Sequence, residues 1–263
     1  MNEVRKKSKN LITLVDGSAF IFRAFYALPP LTRSDGMPIN AVLGYCNMLW
    51  RLVTDIKSQI LIVVFDTATK SFRNNIYPKY KANRGEPPDE LKPQFSLVRD
   101  ATNAFNISHV EKPGFEADDI IATYAKKASE EGWEVQIVSS DKDLMQLVEE
   151  NVYMFDPMKM IKITEEQVKD KFGVLPQKVR DVQALAGDST DNIPGIPGVG
   201  VKTAAELINE YGDLENLLKN ASNIKQPKRR ESIIENADMA RLSMKLVSLE
   251  RNITGIEDFK NYE

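Results

Sequence analysis

Apolar residues in the first part of the chain fall into short unbroken runs, separated by stretches with helical spacing. Residues 11–16 (LITLVD) and 60–66 (ILIVVFD) are continuous apolar runs, the pattern of strands buried on both faces. Residues 107–110, 135–139 (VQIVS) and 152–156 (VYMFD) are further strand candidates. Between them, residues 41–53, 97–105 and 116–130 read as helices. Strands alternating with helices predict βαβ units, hence an α/β fold with a central, mostly parallel sheet flanked by helices. The pattern changes near Thr164. Residues 165–172, 176–186, 201–211 and 237–249 read as helices, with no convincing strand among them. An α/β core over residues 1–163 and a helical subdomain over 164–263 are therefore expected. Residues 67–93 fit neither part. The stretch is polar and basic with four prolines, and it stands where a strand-to-helix connection normally takes a few residues. So long an insertion is usually functional or disordered.

Composition narrows the class. A chain of 263 residues, 42% hydrophobic, can bury a substantial core. Residues 1–10 are basic and read as a tail; the apolar run after them is broken by Asp16, too soon for a secretory signal. No stretch reaches the length of a membrane span. Cys46 is the only cysteine, which excludes a disulfide framework and a thiolate metal site within the chain. A cytoplasmic protein is expected.

The chemistry gathers where the apolar runs end. Asp16 and Asp66 close the first two, Asp141 and Asp143 (SSDKD) follow another, and Asp156 closes a later one. In a parallel sheet the carboxyl ends of the strands share one edge, where open α/β folds place their sites. Glu116, Asp118 and Asp119 (EADD) open a helix. Glu116 and Asp119 share a face while Asp118 points elsewhere. Acids also favour a helix's first turn because of its dipole, and Asp188 and Asp191 in GDSTDN suit a plain turn. So many carboxylates packed together would repel or become protonated unless hard divalent cations held them. Two such ions can clamp the attacking and leaving oxygens of a phosphoryl transfer. Calcium storage competes, but no EF-hand spacing is present. The only histidine, His109, lies in an expected strand and reads as structural, so a histidine-based triad is disfavoured. The net charge of −3 argues against a polyanion partner, but setting aside the nine site acids leaves 29 acidic residues against 35 basic ones, a balance of +6.

Residues 193–204 (IPGIPGVGVKTA) place Gly195, Gly198 and Gly200 before an expected helix start, with Lys202 just inside it. Free backbone N–H groups there suit phosphate, although Gly/Pro loops are also common without such a role. The insertion interleaves Lys70, Arg73, Lys79, Lys81 and Arg84 with Phe72, Tyr77 and Tyr80. That is the chemistry of single-strand binding, or else a solvated loop.

The motifs LVDGS, VFD, YKANR, EADD, SSDKD and GDSTDNIPGIPGVGVKTA together resemble the 5′-nuclease domain of bacterial DNA polymerase I and its stand-alone relatives, the flap endonucleases, over residues 11–252. The resemblance implies a PIN-like 5′-nuclease fold, a helical arch over residues 67–93 and a helix-three-turn-helix motif over 187–211. It assigns Asp16, Asp66, Glu116 and Asp118 to one metal, and Asp119, Asp141, Asp143, Asp188 and Asp191 to a second. It makes Lys81 and Arg84 the cations that meet the scissile phosphate, with Asp66 beside them as a catalytic group. Phe22 would stack on a base and Arg23 would contact phosphate; Arg73, Lys79 and Tyr80 join the DNA surface, and Gly195, Gly198, Gly200 and Lys202 form the clamp. Two Mg²⁺ ions are implied, with Mn²⁺ as a substitute and K⁺ at the helix-three-turn-helix. The implied partners are 5′-flapped, nicked or branched DNA and a DNA polymerase, covalent or separate, with the nuclease a monomer. A PIN-like ribonuclease and a non-catalytic DNA-junction binding module are the rival readings.

Overall fold

In the computed structural model, the run LITLVD forms β1 (Leu11–Asp16) and ILIVV forms β2 (Ile60–Val64). The model describes residues 10–262, so nearly all of the expected basic tail lies outside the described residues. The other strands are β3 (Ser108–Val110), β4 (Glu134–Val138), β5 (Val152–Asp156) and β6 (Ile161–Ile163). They form one six-stranded sheet in the order β3-β2-β1-β4-β5-β6. The first five are parallel, and β6 pairs antiparallel with β5. From β1 the chain builds outward to β2 and β3 on one side, then returns to lay β4 and β5 on the other. The order reverses between β1 and β4, the switch point at which such sheets open a crevice.

Strand alternation divides the core in two. Ile12, Leu14, Ile60, Ile62 and Val64 face one side, in the cluster that includes Ile120 and Tyr124. Val15, Val63 and Phe65 face the other, with Phe20, Tyr45, Leu49 and Val98. The second face is covered by α1 (Gly17–Ala27), α2 (Asn40–Asp55) and α4 (Gln94–Ala104), the first by α5 (Ala117–Glu130). Between β2 and α4 lies the connection expected to arch over the site. It carries one helix, α3 (Phe72–Ile76), and otherwise turns and extended chain. Pro78, Pro87, Pro88 and Pro93 each remove a helical donor, which keeps helices there short.

The carboxyl-terminal part adds α6 (Glu165–Phe172), α7 (Val179–Ala186), α8 (Val201–Tyr211), α9 (Leu214–Lys219), α10 (Pro227–Glu235) and α11 (Ala237–Val247). Thr164 and Gln167 cap α6 reciprocally, and Gly173 ends it at φ 73°. The expected helix over 176–186 is a 3₁₀ turn, Pro176–Lys178, leading into α7. The apolar cluster runs without a break from Ile12 through Val168, Val182 and Leu246 to Phe259. The last segment returns across α5. Thr123 Oγ1 donates to the Glu250 carbonyl at 3.3 Å and Tyr124 Oη to that of Glu257 at 3.1 Å. Trp133 meets Phe259 edge-on at 5.5 Å.

Candidate metal and nucleic-acid site

The carboxyl edge of the sheet gathers the strand-end acids. Asp16 ends β1 and is buried; its carboxylate accepts from Ala19 N at 2.9 Å, capping α1, and from Ser139 Oγ at 2.8 Å. Asp66 follows β2 and accepts from Ala117 N at 2.8 Å, the first residue of α5. Asp118 stands in the first turn of α5. Asp141 caps the 3₁₀ turn Lys142–Leu147 by accepting from Asp143 N at 2.9 Å. Asp143 accepts from Gln183 Nε2 at 2.5 Å, and Asp188 pairs with Lys142 Nζ at 2.5 Å.

Electrostatics divides these acids into two overlapping groups with Asp141 in both. Burial, and then Asp66 and Asp141, push the Asp16 carboxyl up to about 7, although the Ala19 N–H and Ser139 hydroxyl act the other way. Burial, with Asp141, Asp16 and Asp66 nearby, raises Asp118 well above the carboxylate range. Burial and Asp141 push Asp143 up to about 7 against the pull of Lys142. Negative charge here exceeds what the neighbouring cations neutralise. That fits hard divalent cations, which let several neighbouring carboxylates stay ionised together. Among the described residues no group of three acids stands ready to enclose an ion. Mg²⁺ suits such an open arrangement, since it takes one or two carboxylates and keeps several waters.

The pH consequence has a definite sign. A raised carboxyl pKa favours the folded state at low pH, and that advantage is lost as pH climbs from the unfolded value towards 7. Divalent cations bind the ionised form. The rise in melting temperature produced by Mg²⁺ is therefore expected to be small at pH 5 and to reach several degrees at pH 8. Scanning calorimetry with chelator and with Mg²⁺ checks this; a shift independent of pH would contradict it. Glu116 and Asp188, held low by cations despite their burial, titrate below this window.

The connection over residues 67–93 closes one side of the site. Lys81 adopts φ 55°, and its Nζ reaches Glu116 at 2.7 Å and Asp191 at 3.7 Å. Arg84 pairs with Asp191. Lys81 N donates to the Asp191 carbonyl at 2.9 Å, Asn83 to that of Ser189 at 2.7 Å, and Asn192 to that of Lys79 at 2.6 Å. The YKANR turn and the GDSTDN turn are thus zipped together. Lys81 and Arg84 line a cavity of about 390 Å³ with Asp66, Lys70 and Glu116.

Three sequence expectations meet a different geometry. Arg73 is 1% exposed and Asp119 0%. Arg73 gives two 2.7 Å hydrogen bonds to Asp119, a third to Glu116 at 3.2 Å, and others to the carbonyls of Leu246 (2.8 Å) and Ser248 (3.0 Å). Asp119 also accepts from Glu250 N at 2.9 Å. With its donors spent internally, Arg73 offers none to DNA, and the same bonds occupy Asp119, so each is corrected to a structural charge. Tyr80 is corrected likewise from a stacking group: it is buried, with its hydroxyl donating to Glu116 at 2.9 Å.

The remaining expected residues surround this centre. Gly195 packs against the end of α7, where an added Cβ would lie 2.3 Å from the Ala186 carbonyl oxygen, so its role is close backbone approach. Gly198, Gly200 and Lys202 are exposed at the start of α8, which has no side-chain cap. Lys79 is exposed on the connection. Phe22 is exposed on α1 and meets Phe95 at 6.0 Å. Arg23 lines a separate cavity of about 580 Å³ with Arg51, Asp55 and Met158, so it does not join the carboxylate cluster. His109 packs edge-on against Phe65 at 5.7 Å, and burial lowers its pKa. Asp156 accepts from Met158 N and Lys159 N and serves a turn. Sequence reasoning missed Ser139, Lys142 and Gln183, which orient Asp16, Asp188 and Asp143. The first two sit within or beside SSDKD; Gln183 carried no signal.

Comparison with known proteins places this geometry in a class. The model of the 5′-3′ exonuclease N-terminal resolvase-like domain matches residues 11–173, and that of the 5′-3′ exonuclease C-terminal SAM fold matches residues 174–263. The DNA polymerase I of Rhizobium leguminosarum is 57% identical over 95% of this chain, which spans 25% of that protein's length. The 5′-3′ exonuclease of Aquifex aeolicus is 45% identical over 90% of this chain and 80% of its own. The bacteriophage T5 D15 flap endonuclease, solved as a pseudo-enzyme–product complex with DNA and metal ions, shares the fold: TM-score 0.76, 22% identity, 92% of this chain and 90% of the other. The chain belongs to the 5′-3′ exonuclease family. No helix among the described residues is long and apolar enough to cross a membrane.

Proposed function

We propose that the chain is a divalent-metal-dependent nuclease that hydrolyses DNA phosphodiester bonds near 5′ ends, acting as a 5′-3′ exonuclease and on flaps, nicks and branches. The observation that carries this reading is the excess of buried carboxylate charge at the sheet's carboxyl edge, facing a basic connection. Asp16, Asp66, Asp118 and Asp141 are proposed to surround one cation, one or two of them binding directly and the others through water, and Asp141, Asp143 and Asp188 to surround a second in the same way. Glu116 and Asp191 stand between these groups and the cations Lys81 and Arg84. When bound, two Mg²⁺ ions, or Mn²⁺ in their place, would supply water activation and charge neutralisation. Lys81 and Arg84 orient the scissile phosphate. Gly198, Gly200 and Lys202 hold the duplex backbone at the loop between α7 and α8, proposed as a helix-three-turn-helix with a K⁺ site. Primer removal and repair in a bacterial cytoplasm, as a monomer working with an attached or separate polymerase, fit the named relatives.

A labelled 5′-flap substrate tests the reading, set beside single-stranded DNA and RNA, with Mg²⁺ and with chelator. Cleavage near the junction only in Mg²⁺ is expected, and Asp66→Ala should abolish it while DNA binding persists. Cleavage that survives chelation, or full activity of Asp66→Ala, would discredit the metal role.

A further inference from the structure

The helix α10 carries a concentration of positive charge that the reading above does not use. Residues 225–230 read KQPKRR, with Lys225 and Lys228 exposed and Arg229 and Arg230 half-buried. None of the four joins an ion pair among the described residues, although Glu231 is adjacent in sequence. Charge of one sign left without counterions on a folded surface is the footprint of a polyanion.

The placement of α10 says where that polyanion lies. Ser232 Oγ donates to the Pro197 carbonyl at 2.8 Å, which pins the helix to the loop that presents Gly198 and Gly200. Lys228 and Arg229 lie four and three residues before Ser232. They share its face, one turn nearer the helix start. Ile233, on the neighbouring face, is fully buried and anchors the helix to the core. The face bearing Lys228 and Arg229 therefore flanks the exposed loop that leads into α8. Ile233 and the Ser232 hydrogen bond fix α10 beside the loop, so a phosphate backbone that touches one can continue past the other.

We propose that the Lys228–Arg229 face of α10 is a second docking point for duplex DNA, binding the phosphate backbone beyond the α7–α8 loop. It is sequence-independent, because it presents cations without a base-reading geometry. This rests on the nuclease reading for its ligand, but binding can be measured without catalysis.

The test measures binding of a blunt duplex oligonucleotide across a salt series in chelator. For Lys228→Ala/Arg229→Ala, duplex affinity should fall about 10-fold and the slope of log K against log salt by about 2, one unit for each phosphate no longer neutralised. Binding of single-stranded DNA should change little, because the basic connection around Lys81 and Arg84 lies apart in sequence and is the surface proposed for that strand. The control Arg51→Ala/Lys57→Ala removes the same charge at and beyond the far end of α2 and should leave the slope alone. The swap Lys228→Arg/Arg229→Lys should retain binding, and melting curves report folding. An unchanged duplex slope in the alanine variant, or an equal loss in the α2 control, would overturn the proposal. Failure of the parent protein to cleave in Mg²⁺ would instead strike the nuclease reading.

Discussion

Replacing Asp118 with asparagine is expected to lower Mg²⁺-dependent cleavage by about 10³-fold, the scale of losing one group that stabilises reacting charge. The same change is expected to raise the melting temperature of the metal-free protein at pH 8. Both effects have one cause. The Asp118 carboxylate makes no hydrogen bond among the described residues, and burial together with Asp141, Asp16 and Asp66 opposes its ionisation. Asparagine keeps the shape and removes the charge. The fold sheds a repulsion, and each kcal/mol so gained moves the melting point by about 2–4 °C in a chain of this size. The site loses a cation ligand, at roughly 4 kcal/mol of barrier for a thousandfold loss. Single-turnover cleavage and calorimetry in chelator read the two quantities separately. A variant that keeps full activity, or one that melts lower without metal, would contradict this account. Such an exchange of stability for function is common where a site stores strain.

The opposite signature is expected one residue along. Asp119→Ala should destabilise the fold by about 3–5 kcal/mol, because it leaves the Arg73 guanidinium buried and unpaired. That corresponds to roughly 6–20 °C in melting temperature. The pair Arg73→Met/Asp119→Leu should recover much of the loss, since apolar groups of similar volume often replace a buried ion pair without cost. Denaturant midpoints for the two single variants and the double variant measure the coupling. Independent, additive losses would show that the two side chains act separately. If Asp119→Ala instead melted normally and lost only metal binding, Asp119 would return to the ligand set.

These neighbours show how far the sequence could be read. The spacing of EADD separates Glu116 and Asp119 from Asp118, and the structure turns the first two to Arg73 and the third to the acid cluster. What spacing could not supply was the partner. Arg73 lies 46 residues before Asp119, and the carbonyls it also meets lie more than 170 residues after it. A basic, aromatic stretch looks the same whether its arginine faces water or a buried acid. The long apolar runs of β1 and β2 were legible because both faces are covered. The short β6 was not, since its three residues IKI are broken by Lys162 and only Ile163 is buried. The same holds for α9 and α10, too short or too polar to announce themselves. Helix α1 escaped because its apolar run follows that of β1 with only Asp16, Gly17 and Ser18 between the two runs.

The internal role of Arg73 ties the α/β part to residues far along the chain. Its guanidinium draws on Leu246 and Ser248, and Asp119 takes the amide of Glu250. Until the ribosome has delivered those residues, the nascent α/β half holds a charged pair with several bonding positions open to water. The buried pair beside Glu116 is therefore completed only when residues 246–250 pack against it. The support beneath the site thus depends on a segment that contributes no ligand to it.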